Sequence, residues 1–294
     1  MFYRRKIVLG LLQLYKNRLD KISVQKLVFL VTLEQKNPVF EFVPFKYGCY
    51  SYSLSADIAA MARRGQVAED KTHISKIDEI DYLRELKADD KAFLLRIKNV
   101  YGHFNSDDLM RHIYLTHPLY AINSTKAPEL LTEQEYGRVE SSRPMGHGTT
   151  LFTIGYEGIS FENYLMRLVQ NDVKVLVDVR NNPISMKFGF SKSQLKRSCE
   201  NLGILYVHVP EVGIKSAKRQ TLNSQADYDK LFAAYRCDDL PQTGKFQDNI
   251  LELLKQHKRI ALTCFEANIC QCHRKPLAEA IAKRSGFEYE LKHI

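Results

Sequence analysis

Residues 173–179, VKVLVDV, narrow the folds open to this chain more than any other passage. A run this apolar fits a strand buried on both faces, the situation of a central strand in a parallel sheet covered by helices. Such a strand needs neighbours of its own kind, and the second half of the chain supplies them. Strand-like runs at 151–156, 205–209, 260–265 and 289–292 alternate with helical patterns at 161–170, 191–202, 228–257 and 275–284. That alternation predicts an α/β fold: a Rossmann-like, mostly parallel sheet with flanking helices over residues 150–294.

Ligands of such sheets sit beyond the carboxyl ends of the strands, so the residues that follow each strand are read together. They are Gly155-Tyr156-Glu157-Gly158, Asp178-Val179-Arg180-Asn181-Asn182-Pro183, Pro210-Glu211-Val212-Gly213 and Cys264-Phe265-Glu266, with Cys272-His273-Arg274 further on. Asp178 and Arg180 are two apart and project to one side. Arg180 would hold an anion and Asp178 would orient it or act as acid or base; the alternative is an internal ion pair that orders the following loop. Cys264 and Glu266 have the same relation. Cys272 and His273 enter the last helix, where free amides lower a thiol pKa and favour anions. The catalytic candidates are therefore Asp178, Cys264, Glu266, Cys272 and His273, with a Cys272 thiolate as nucleophile and His273 or Glu266 moving protons.

Substrate-binding candidates are Tyr156, Arg180, Asn181, Lys215, Lys218, Arg219 and Arg274. Lys215, Lys218 and Arg219 belong to a stretch from 187 to 219 in which Lys187, Lys192, Lys196 and Arg197 face only Glu200 and Glu211. Such a stretch steers polyanions, and the nearby Tyr156, Phe188 and Phe190 would stack on bases or pack beneath the loop. No cofactor is expected. Zinc is the competing use of Cys264, Cys270, Cys272 and His273, but the spacing argues against it: adjacent residues such as Cys272 and His273 rarely aim into one tetrahedral site, and there is no CxxC knuckle. No P-loop, full GxGxxG fingerprint or HExxH motif occurs, which argues against a nucleoside triphosphatase, a dinucleotide enzyme and a zinc protease.

Residues 141–150, SSRPMGHGTT, lack apolar periodicity and mark the boundary between domains at 1–145 and 150–294. In the first domain a helix through Ile7, Leu11 and Leu14 is followed by a second through 24–33 capped by Ser23, and then by an aromatic extended segment at 39–45. A third helix, capped by Ser51 or Ser53, ends at Gly65 before a β-wing opening at 66–69. Further on, Ser106 caps a helix stopped by Pro118. Three helices and a wing predict a mainly α, winged-helix-like domain. Arg63 and Arg64 at the end of the third helix are its nucleic-acid candidates, although a helix dipole would also favour them there.

The carboxyl-terminal motifs GYEG, DVRNNP, CFE and CHR together resemble the bacterial and archaeal domain-of-unknown-function 488 family, from about Thr153 onward. The amino-terminal VQKLVFL and FKYGCYS are similar to winged-helix-type domains that sometimes precede it, with Gly48-Cys49 where related sequences usually have Gly-Pro. The resemblance implies a fold and a site, and no reaction.

A net charge of +9 favours an anionic partner. No apolar run reaches the ~18 residues that span a bilayer, and no cleavage site follows the basic Arg4-Arg5-Lys6, so a cytoplasmic, membrane-free protein is expected. Six cysteines are too sparse for a disulfide scaffold, and Cys199 and Cys237 are expected to be buried and inert. The combined reading is a nucleic-acid-associated enzyme processing DNA, RNA or a nucleotide-like anion, DNA before RNA, in repair, base processing or foreign-DNA defence. The alternative is a non-catalytic sensor of a modified base or nucleotide, coupled to DNA or to a protein partner through the first domain.

Overall fold

The chain, seen in a computed structural model that describes residues 1–215 and 222–294, divides into two units, Met1–Arg143 and Pro144–Ile294.

The first unit is built around a helix too apolar to have a solvent face. Helix α1 (Tyr3–Leu14) buries Ile7, Val8, Leu9, Leu11 and Leu12. A short strand β1 (Arg18–Asp20) leads into α2 (Lys21–Glu34), whose residues from Ser23 to Thr32 are all buried. Asp20, rather than Ser23, caps α2: its carboxylate accepts the Ser23 N–H at 2.8 Å. Ser23 already lies inside the first turn, and a cap must precede it. The hairpin of β2 (Val43–Phe45) and β3 (Gly48–Tyr50) follows. Ser51 then caps α3 (Tyr52–Arg63) through the Leu54 N–H.

Strands β4 (Val67–Glu69) and β5 (His73–Lys76) form an antiparallel hairpin, and β1 pairs with β5 to give a sheet in the order β1-β5-β4. The remaining helices of the unit are α4 (Ala88–Tyr101), α5 (Ser106–Thr116), α6 (Ala127–Leu130) and α7 (Glu133–Ser141). Asn105 caps α5 in a reciprocal box with Asp108, so Ser106 is the first helical residue rather than the cap.

The second unit contains the expected parallel sheet. Its strands are β6 (Thr150–Gly155), β7 (Val175–Asp178), β8 (Leu205–His208), β9 (Arg259–Cys264) and β10 (Glu290–His293), all parallel in the order β10-β6-β9-β7-β8. Helices α8 (Phe161–Gln170), α9 (Lys192–Glu200), α10 (Gln225–Ala234), α11 (Gly244–His257) and α12 (Arg274–Ala282) supply the crossovers.

Strand alternation sorts the core into two layers. Leu151, Val175, Val177, Ile260 and Leu262 pack with Ile250, Leu251 and Leu254 of α11 and Leu277, Ala278 and Ile281 of α12. On the other face, Tyr164 of α8 donates its hydroxyl to Thr263 at 2.8 Å. The central strand β9 ends between Gly155 of β6 and Asp178 of β7, opposite Gly155 through Cys264 and opposite Asp178 through Thr263. Loops from three strands therefore gather at one point. No helix among the described residues is long and apolar enough to cross a membrane.

Candidate functional site

Asp178 and Thr263 are register partners on the α8 face, whereas Cys264, one residue further along β9, belongs to the α12 face. The side chains expected to share one pocket therefore fall into two buried clusters, one on each side of the sheet.

The cluster on the α8 face is an ion pair wrapped in aromatic rings. Asp178, fully buried, accepts from Arg180 Nε at 2.8 Å, Arg180 Nη2 at 2.5 Å, the Arg180 backbone N–H at 3.1 Å and the Tyr206 hydroxyl at 2.6 Å. Arg180 Nη1 donates to the Tyr156 hydroxyl at 2.8 Å and to the Phe190 carbonyl at 2.9 Å. The guanidinium expected to hold an anionic ligand is thus occupied by the protein. Tyr156 stacks on Phe190 with centroids 4.2 Å apart and planes 9° from parallel, so both rings pack inside rather than meeting bases. Burial also raises the Tyr156 pKa, against the opposing pull of Arg180. Asn181 donates from Nδ2 to the Pro210 carbonyl and ties the β7 loop to the β8 loop. These residues hold the rim in shape; of the ring candidates, Phe188 alone stays exposed, at 45%.

The cluster on the α12 face gathers two thiols, an imidazole and a carboxylate. Cys264 Sγ lies 3.5 Å from His273 Nδ1 and donates to Glu266 Oε2 at 3.2 Å. His273 Nε2 lies 3.1 Å from the Val179 carbonyl. A carbonyl can only accept, so the hydrogen-bond network assigns the proton to Nε2 and leaves the Nδ1 lone pair facing the thiol. Cys264, Cys272 and His273 are all buried, and one donor atom from each lies within 4.8 Å of the others.

The expectation that the neighbours Cys272 and His273 point apart is overturned. Cys272 is extended (φ −127°, ψ 134°) and His273 is helical (φ −65°, ψ −16°). The chain changes conformation between them, and both side chains swing to the end of β9. The expected lowering of the Cys272 pKa is also reversed: burial pushes the thiol well up, as do the neighbouring Cys264 and Glu266. The residue precedes the helix start, and burial together with Cys264 and Glu266 outweighs the opposing pull of Arg274. Cys270 is exposed and stands outside the cluster.

The first motif builds the floor of this site. The backbone N–H groups of Tyr156 and Glu157 both donate to the Phe265 carbonyl, and the Glu157 carboxylate accepts from the Ala267 N–H at 3.0 Å. Gly155 is crowded here: a Cβ would come within 2.0 Å of the Glu266 carbonyl oxygen, so any side chain forces a shift. Arg274, expected to bind phosphate or carboxylate, is buried and gives Nη1 to the Glu266 carbonyl and Nη2 to the Ala267 carbonyl. Its Nε is buried without a partner among the described residues. The 265–267 loop is therefore clamped from both sides, and Glu266, half-buried, is more exposed than Cys264, Cys272 and His273.

Lys215 is exposed at the β8 exit, and Lys218 and Arg219 lie outside the described residues. Lys187 turns inward to the Tyr156 carbonyl, and Lys192 Nζ lies 2.9 Å from His208 Nδ1, whose Nε2 in turn meets the Arg180 carbonyl. In the first unit Arg63 and Arg64 are exposed at the end of α3. Of the two cysteines expected to be inert, Cys199 is buried and Cys237 is exposed. Sequence reading missed Tyr206, the Val179 carbonyl and the Glu157 carboxylate. Glu157 was visible in its motif, whereas the other two emerge only from the strand order.

The family model described as "Domain of unknown function DUF488" matches residues 160–281. No curated protein matches the sequence.

Proposed function

We propose, from the premise that the carboxyl-terminal half of this chain is a DUF488 domain, that the protein is an enzyme acting on DNA, RNA or a nucleotide-like anion. Its reaction is centred on Cys264, Cys272, His273 and Glu266 at the carboxyl end of β9. The observation that carries this reading is the Cys264 thiol set between an imidazole lone pair and a carboxylate. Thiol, base and carboxylate within hydrogen-bond reach form a constellation suited to moving a proton at a reacting group. Asp178, Arg180 and Arg274 act on it indirectly, by fixing the two loops that carry the cluster.

The anionic substrate class rests on charge and on one exposed loop. Ile184, Met186 and Phe188 stand out at 76%, 100% and 45% exposure in the loop before Lys192. Apolar wedges of this kind insert between or stack on bases, while lysines meet phosphates. The first unit would contribute a second contact: apart from the inserted β2–β3 hairpin, the order α1, β1, α2, α3 and the β4–β5 hairpin is that of a winged helix, and the exposed Arg63 and Arg64 would meet a backbone.

The test is incubation of the full chain with single-stranded DNA, duplex DNA, RNA and mononucleotides, read by mass spectrometry, beside a salt titration of binding. One substrate should be converted, and binding should weaken steeply with salt. Tight binding with every ligand recovered unchanged would reject the enzyme in favour of a sensor, and no binding at all would reject both.

A further inference from the structure

We propose that the α12-face cluster is a metal centre that takes one zinc ion, or a divalent cation of similar softness, on Cys264 Sγ, Cys272 Sγ and His273 Nδ1, with water completing the tetrahedron. The inference rests on the same residues as the proposed reactive centre, and a bound metal would hold the His273 Nδ1 lone pair and both sulfurs, so the metal-loaded form is a state distinct from the one that moves a proton; metal content without substrate and turnover report on the two separately.

Geometry makes the first argument. Zinc–sulfur and zinc–nitrogen bonds of about 2.3 and 2.05 Å, opened to the tetrahedral angle, place S and N about 3.6 Å apart. The Cys264–His273 separation is 3.5 Å. The third donor, Cys272 Sγ, falls inside the same 4.8 Å sphere.

The second argument is the state of the imidazole. Metal-bound histidine commonly donates its other N–H to a carbonyl, which fixes the ring and the tautomer. His273 does this through Nε2 and Val179, and so presents the correct lone pair without any rearrangement.

Electrostatics make the third. A divalent cation among two buried sulfurs stabilises both as thiolates. Binding releases the two thiol protons to solvent and leaves two thiolates and a neutral imidazole on a dication. The core of the centre is then neutral, and Glu266, which meets Cys264 but lies outside the three-donor group, borders it. Two thiolates with an imidazole select zinc over magnesium or calcium, which prefer oxygen.

The experiment is metal analysis of the untagged full chain after exposure to zinc and removal of the excess, together with cobalt(II) substitution of the wild type. The expected results are about one zinc ion per chain, an intense thiolate-to-cobalt band in the near ultraviolet, and the strong visible bands of four-coordinate cobalt. Cys264→Ser and Cys272→Ser should each lower zinc content severalfold, while Cys270→Ser, next to the cluster but outside it, should leave the content unchanged. A wild type that retains no zinc and gives only the pale spectrum of six-coordinate cobalt would overturn the proposal, as would zinc lost on Cys270→Ser and kept by the other two. The cobalt spectrum of the wild type decides the matter even where a variant fails to fold.

Discussion

Replacing Arg180 by methionine separates the two readings of the DVR motif. The side chain of similar length fills the space but leaves Asp178, with no exposure, holding only the Arg180 backbone N–H and the Tyr206 hydroxyl. Two charge-assisted hydrogen bonds from the guanidinium disappear. The Tyr156 hydroxyl and the Phe190 carbonyl lose a donor as well. Breaking a buried ion pair from one side typically destabilises by about 3–5 kcal/mol, because the surviving charge stays uncompensated. At about 2–4 °C per kcal/mol for a unit of this size, Tm should fall by roughly 6–20 °C. The double variant Asp178→Leu/Arg180→Met removes both charges and should recover at least half of that loss, with a coupling energy of about 2 kcal/mol or more. Thermal unfolding of the full chain gives the shift. Native-state hydrogen exchange of the β7 and β9 amides assigns it to the carboxyl-terminal unit. If Arg180→Met lowers stability by less than about 0.5 kcal/mol, the range of an ordinary surface change, the pair is wet and open, and the guanidinium is free to hold an anion after all.

Gly155→Ala should destabilise the carboxyl-terminal unit by about 1–3 kcal/mol, since the new methyl would sit 2.0 Å from a backbone oxygen and 3.0 Å from Arg274 Nη1; denaturant unfolding checks it, and a neutral result would mean that the 265–267 loop is not clamped there. The amino-terminal unit should carry an acid-sensitive contribution from Glu135. Arg111 holds this carboxylate by two hydrogen bonds, the Thr132 N–H adds a third, and together they lower its pKa to about 2. A depressed folded pKa stabilises above the unfolded value, near 4.5, and the contribution is lost as pH falls towards 2. Wild type and Glu135→Gln should therefore differ in Tm at neutral pH and converge at pH ~2, and a constant difference across that window would show that the pair contributes nothing through titration.

The parallel sheet was legible because strands buried on both faces leave continuous apolar runs, and the 173–179 run contains β7 at Val175–Asp178. Helix α8 was legible with its bounds, since its apolar residues recur at helical spacing over 161–170. The division of the rim into two clusters was not. Whether Asp178 shares a face with Cys264 depends on the register between β7 and β9, which sets Asp178 against Thr263 and turns the next residue to the other side. That register joins segments some 85 residues apart, and nothing local encodes it. The convergence of Cys272 and His273 was hidden for a different reason. A rule drawn from regular elements sends neighbours to opposite sides, whereas these two straddle a passage from extended chain to helix. The role of Arg274 was misjudged because an arginine at a helix start answers carbonyls as well as it answers phosphates, and the Glu266 and Ala267 carbonyls are its partners in the fold.

The most direct measurement of the central claim is the single-turnover rate of His273→Gln on the substrate that the wild type converts, taken together with its binding affinity. Glutamine keeps a donor for the Val179 carbonyl but removes the nitrogen lone pair that faces Cys264. The account predicts a rate lower by about 10²–10⁴-fold, with affinity within about threefold of wild type. An unchanged rate would contradict it.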